Sequence, residues 1–211
     1  MYTMAKKIII TIARQYGSGG REIGERVATS LGIPIYDKLL ITEAAAKGDL
    51  NVEVLKKADE SSANSLLYTL AMGSNTLGAA MHFGYKMPLS DKLFILQSEV
   101  IKEYAAVGSG IFIGRCADYV LRDEPNILRL FIYGDLDHRR ERVLERHPDL
   151  KSAQVIDAIS KTDKRRATYY NFYTGNKWGK FDNYDMAINS STLGIEGTAE
   201  LICTFAKQMM K

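Results

Sequence analysis

Residues 8–24 constrain this chain most. Ile8-Ile9-Ile10-Thr11-Ile12-Ala13 is a short apolar run rich in β-branched residues, and Arg14-Gln15-Tyr16 lead from it straight into Gly17-Ser18-Gly19-Gly20. Such a run reads as a buried strand. An amphipathic helix follows, with Ile23, Val27 and Leu31 at helical spacing and Gly32 placed to end it. Strand, glycine turn and helix start bring several backbone N–H groups and a positive helix end to one point. That arrangement binds phosphate. Its alternative use is a turn that only packs helix on sheet.

The rest of the chain repeats the alternation of short apolar strands and helices. Further strands are expected at 34–36, 111–113, 128–133 and 186–188, and helices at 39–47, 52–60, 91–106, 137–145, 152–170 and 195–209. This pattern predicts an α/β fold with a five-stranded parallel sheet and helices on both faces. Ligands then bind at the carboxyl ends of the strands, which here carry Arg14, Asp37, Arg115 and Gly134-Asp135. Residues 61–90 differ in character, with Met72, Met81 and Met87 interspersed with glycines and asparagines. They read as a flexible helical insert within one domain spanning 1–211, and as a surface through which a homodimer would form.

Composition removes other classes. With 211 residues, 46% hydrophobic and 25% charged, the chain is of ordinary globular type. A net charge of +3 is too small to mark a nucleic-acid protein. Three histidines and two cysteines are too few for a zinc framework or a disulfide scaffold. Cys116 and Cys203 read as packing residues. The N-terminal apolar run is short for a signal peptide and far short of a membrane span. A cytoplasmic location is expected, with neither nucleic acid nor membrane as partner.

The glycine turn departs from the usual phosphate-loop pattern, which ends in Gly-Lys-Ser/Thr. This chain has Gly20-Arg21-Glu22, with Arg21 at the lysine position and Glu22 at that of the Mg²⁺-binding hydroxyl. Arginine also contacts phosphate, bidentately, and a carboxylate at residue 22 is a candidate metal ligand.

Tyr16-Gly17-Ser18-Gly19-Gly20-Arg21-Glu22-Ile23-Gly24 resembles the altered P-loop of the cytidylate kinase-like family, relatives of the nucleoside monophosphate kinases. The resemblance continues in Gly114-Arg115-Cys116-Ala117-Asp118, in Asp163-Lys164-Arg165-Arg166 and in the stretch from Asp185 to Leu193. It implies a three-layer P-loop kinase fold with a helical lid at about 146–183. It also implies ATP as phosphoryl donor with Mg²⁺, and a nucleoside monophosphate as acceptor, CMP or dCMP above all. Tyr16, Gly17, Ser18, Gly19, Gly20, Arg21 and Glu22 would bind the donor, and Glu22 the metal. Asp37, Arg115, Asp163 and Arg166 would bind the acceptor, and Arg21, Lys161 and Arg166 would serve catalysis.

Each assignment has a rival. Asp37 and Asp118 are also suited to helix capping, and the charges at 161–166 to a solvated face. Trp178 and its neighbours Tyr169, Tyr170, Phe172, Tyr173, Phe181 and Tyr184 offer either a stacking surface for a base or packing between lid and body. Two other functions fit the same sequence: a kinase for another small acceptor, and a nucleotide-binding regulatory module with little catalysis.

Overall fold

Five short strands set the frame: β1 (Ile9–Arg14), β2 (Ile35–Tyr36), β3 (Gly110–Ile113), β4 (Ile127–Tyr133) and β5 (Met186–Asn189). They form one sheet in the order β2-β3-β1-β4-β5, and every pairing is parallel. The structure, a computed structural model, describes residues 6–37 and 88–211. Among these, six helices accompany the strands: α1 (Gly20–Leu31), α2 (Leu89–Val107), α3 (Ala117–Val120), α4 (Leu136–Arg146), α5 (Ser152–Thr174) and α6 (Ser190–Met209). The chain divides into two compact units, Met1–Lys38 with Ile101–Lys211, and Leu39–Val100. The sheet lies wholly in the first, and the described part of the second is the start of α2 with the Pro88 carbonyl that accepts from the Asp91 and Lys92 N–H groups.

β1 is central, which is why its sequence is a continuous apolar run rather than an alternating one. Ile9, Ile10 and Ile12 are fully buried. On one face, Ile10 and Ile12 join Ile111, Ile113, Leu128, Leu130 and Ile132, covered by Ile23 and Val27 of α1 and Ile202 and Ala206 of α6. Each such side chain contributes about 1.5–3 kcal/mol by leaving water. On the other face, Ala13, Phe131 and Tyr184 pack with Trp178. The result is a three-layer α/β sandwich.

The chain leaves β1 toward β2 and β3, then crosses β1 and continues through β4 to β5. Connections from β1 and β4 thus run in opposite directions, and a crevice opens outside their carboxyl ends. The glycine turn falls there.

Several details differ from the sequence reading. The last helix starts at Ser190 and kinks at Gly194 (φ 66, ψ −176), so the expected start at 195 marks the kink. α5 runs on to Thr174, and the short helix α3 carries no periodic signal of its own. The aromatic loop packs Trp178 edge-on against Phe131, 5.2 Å between ring centres. The expected helices at 39–47 and 52–60 lie outside the described residues, as does the expected insert up to residue 87. Among the described residues no helix is long and apolar enough to cross a membrane.

Candidate functional site

The turn between β1 and α1 needs its glycines for two reasons. Gly17 and Gly19 have φ of +83° and +77°, in the left-handed region. Neighbours also crowd the turn: a side-chain carbon at Gly17 would stand 2.7 Å from the Arg139 carbonyl oxygen, and one at Gly19 would collide with Ile195. Ser18 and Ser190 tie the turn to the sheet. The Ser18 hydroxyl donates to the carbonyls of Gln15 (2.9 Å) and Ile132 (3.1 Å), and the Ser190 hydroxyl to those of Ser18 (2.8 Å) and Tyr133 (2.9 Å). No side chain caps α1 at Gly19. The N–H groups of Gly20, Arg21 and Glu22 have no acceptor among the described residues. Orphan donors at a positive helix end form an anion site.

Two helices grip the turn from outside. The Tyr16 N–H donates to Asp163 Oδ1 (2.7 Å), and Arg139 Nη1 donates to Asp163 Oδ2 (2.6 Å) and to the Tyr16 carbonyl (3.2 Å). One turn along α5, Arg166 Nη1 donates to the Arg14 carbonyl (2.9 Å). Val155 and Ile159 of α5 pack with Val143 of α4 and with Tyr16, which fixes both helices beside the turn.

On the β3 side the site is cationic. Gly114, Arg115 and Cys116 all have positive φ (74°, 56° and 54°), a run that is rare for non-glycine residues and recurs at ligand sites. The turn leaves Arg115 over the Tyr169 ring, 5.4 Å from its centre. Arg14 reaches across from β1, its guanidinium filling the space beside the Gly114 Cα. Burial pushes the Arg14 guanidinium well below the usual arginine range, and Arg166 and Arg115 push it the same way, while Asp37 opposes them. Burial also lowers Arg166, with Asp163 opposing. Among the described residues no hydrogen bond or ion pair engages the Arg14 guanidinium. Like charges held together at a half-buried point favour an anion with several oxygens.

Arg21 and Glu22 lie at the edge of this cluster, each held by ion pairs. Arg21 pairs with Asp37 (2.9 Å) and Glu25 (3.0 Å). Glu22 is ringed by arginines: Arg142 at 2.7 Å, Arg146 at 3.3 Å and Arg26 at 3.7 Å. A carboxylate so engaged does not fit the Mg²⁺-ligand role expected of it. Among the described residues no group of three or more His, Cys, Asp or Glu is set to hold a metal. Lys161 is three-quarters exposed and pairs with Asp157 one turn back (2.7 Å).

The structure therefore brings Tyr16, the three glycines, Ser18, Arg115, Asp163 and Arg166 around one crevice. Asp37 joins it through Arg21, and Lys161 points outward. Asp118 is buried and accepts the Tyr170 hydroxyl at 2.7 Å, which anchors α3 to α5. Sequence reasoning placed Arg14 among the charges at the ligand-binding strand ends and missed Arg139, Arg142 and the role of Ser190. Arg139 stood in a charged helix whose pattern reads as solvated, yet it is 8% exposed. Its signal is its distance from the turn, which only the fold supplies.

A parallel sheet of this order, with a glycine turn leading from the central strand into a helix, defines the P-loop kinase class of fold. Residues 9–192 match the family model described as the cytidylate kinase-like family, and the chain belongs to that family. Among solved structures it is similar to an uncharacterized protein from Eubacterium ventriosum ATCC 27560, at 27% identity over 95% of this chain and 98% of that one, with a TM-score of 0.71. It shares its fold with shikimate kinase from Bacteroides thetaiotaomicron, at 11% identity over 95% and 98% of the two chains, with a TM-score of 0.53. No curated protein matches it. Membership of a kinase-like family, on a P-loop kinase fold, supports ATP-dependent phosphoryl transfer to a small acceptor.

Proposed function

We propose that the chain transfers the terminal phosphoryl group of ATP to a nucleoside monophosphate, CMP or dCMP first among them. The observation that carries this reading is the convergence of Arg14, Arg115 and Arg166 beside the glycine turn. The turn's free N–H groups and the α1 terminus receive the donor phosphates, with Arg21 at their edge. Arg115 and Arg166 fork onto the acceptor's phosphate, and Arg166 adds positive charge where the phosphoryl group passes. Its charge is spread over its oxygens in the transition state, so positioning and electrostatics supply most of the catalysis without a covalent intermediate. The family's name and the two-sided anion site support the nucleotide acceptor.

Coupled turnover with ATP and a panel of nucleoside monophosphates tests this. Phosphorylation of CMP or dCMP in preference to other acceptors is the expected result. Turnover confined to carboxylate or sugar acceptors would favour a second reading, since three guanidinium groups also receive a carboxylate. ATP binding with no turnover on any acceptor would leave a nucleotide-binding module, a reading that the arginine-ringed Glu22 favours.

A further inference from the structure

We infer that Arg139 and Asp163 form the positioning pair of the glycine turn, and that Asp163 serves the donor side of the reaction. This rests on the reading of the turn as the donor-phosphate site. The resemblance to cytidylate kinases gives the aspartate at this position an acceptor contact, and the geometry assigns it otherwise.

Both oxygens of the Asp163 carboxylate are engaged, one by the Tyr16 N–H and one by Arg139. The same guanidinium also holds the Tyr16 carbonyl. The peptide groups on the two sides of Tyr16 are therefore fixed by one ion pair, and rotation of the backbone there would break two bonds at once. Gly17 follows immediately, packed against the Arg139 backbone. The direction of the N–H groups beyond it depends on this grip. A misplacement of about 1 Å at such a site costs about 100-fold in rate.

Stability alone gives a weak reason for the pair. Its side chains are 10% and 16% exposed, and a buried ion pair roughly breaks even against apolar replacement. Arg139 Nε is also buried with no hydrogen-bond partner among the described residues, an added penalty. Function is where the pair's geometry acts: it joins α4, α5 and the turn at one residue.

The test uses the full chain, with ADP binding by calorimetry beside steady-state KM values for ATP and the acceptor. Asp163→Ala and Arg139→Ala should each weaken ADP binding about 10- to 100-fold and raise the ATP KM in step. The acceptor KM should stay within about 3-fold. The double variant should bind ADP no more weakly than the worse single one, because the two act as a unit. Asp163→Asn should fall between, since its amide oxygen still accepts the Tyr16 N–H. Together with Arg139→Lys it serves if the alanine variants fail to fold. ADP affinity unchanged by these substitutions, or a rise in the acceptor KM alone, would overturn the proposal. Failure of the unaltered chain to bind ADP would instead overturn the donor-site reading beneath it.

Discussion

The two flanks of the β1 carboxyl end solve opposite electrostatic problems. On the β4 side the glycine turn is fully braced: Ser18, Ser190, Arg139 and Asp163 satisfy its outward-facing groups and leave only the N–H groups of α1 open. On the β3 side Arg14, Arg115 and Arg166 crowd like charge together, and burial opposes it further. The first flank is preorganised and gains little from folding tighter. The second is held under repulsion that an anion would relieve. A fold that stores unfavourable charge at one point trades stability for binding there.

That contrast breaks most sharply at Arg14. Arg14→Met should lower kcat/KM for the acceptor about 100-fold or more, as loss of one preorganised donor does. Removing the repulsion should at the same time leave the melting temperature unchanged or raised. A fall in stability without a change in acceptor KM would show that the cluster is structural. Next comes Gly17→Ala on the braced flank. Left-handed backbone and a clash with a carbonyl together cost about 3 kcal/mol, a drop of roughly 6–12 °C in melting temperature for a chain of this size. A melting temperature that falls for Gly17→Ala and does not fall for Arg14→Met is the central expectation.

Arg21→Ala sharpens the boundary between the flanks. Arg21 is two-thirds exposed and shared with Asp37 and Glu25. Its loss should weaken ATP binding by about 3- to 10-fold, or roughly 1 kcal/mol. Unchanged affinity in calorimetry would remove Arg21 from the donor site and leave the backbone amides alone.

The smallest effect is at Asp118, which anchors the cationic flank to α5. Burial raises its carboxyl above the usual aspartate range, against the opposing hydrogen bond from Tyr170. A raised folded-state value means that its stabilising contribution is complete below the ordinary value of 3.8 and is lost as pH rises through the elevated one. Asp118→Asn keeps an acceptor for Tyr170 and removes that loss. Its melting temperature should exceed the parent's by about 2 °C at neutral pH, with the advantage gone at pH 3.5. A constant difference across that range would assign the effect to packing.

Much of the fold was legible because its signals are local. Ile8 to Ala13 reads as a buried strand, as it is, and Gly32, placed to end the helix, stands there in the left-handed region. Arg115 was legible through the strand end before it. The left-handed conformations of Arg115 and Cys116 were not, since neither residue type favours them. The ion pairs of Glu22 were not legible for a related reason: its place in the motif suggested a metal ligand, and its arginine partners on α4 lie far along the chain.

By itself the sequence determined the strand–turn–helix unit, the parallel sheet and the residues at its carboxyl edge, because strand and helix periods and glycine conformations are properties of neighbouring residues. Tertiary structure alone decided which charges meet. Asp163 finds Arg139 and Tyr16, and Glu22 finds Arg142. Coulombic and hydrogen-bond energies depend on distances of a few ångströms, and across 24 residues, as between Arg139 and Asp163, no spacing in the chain encodes them.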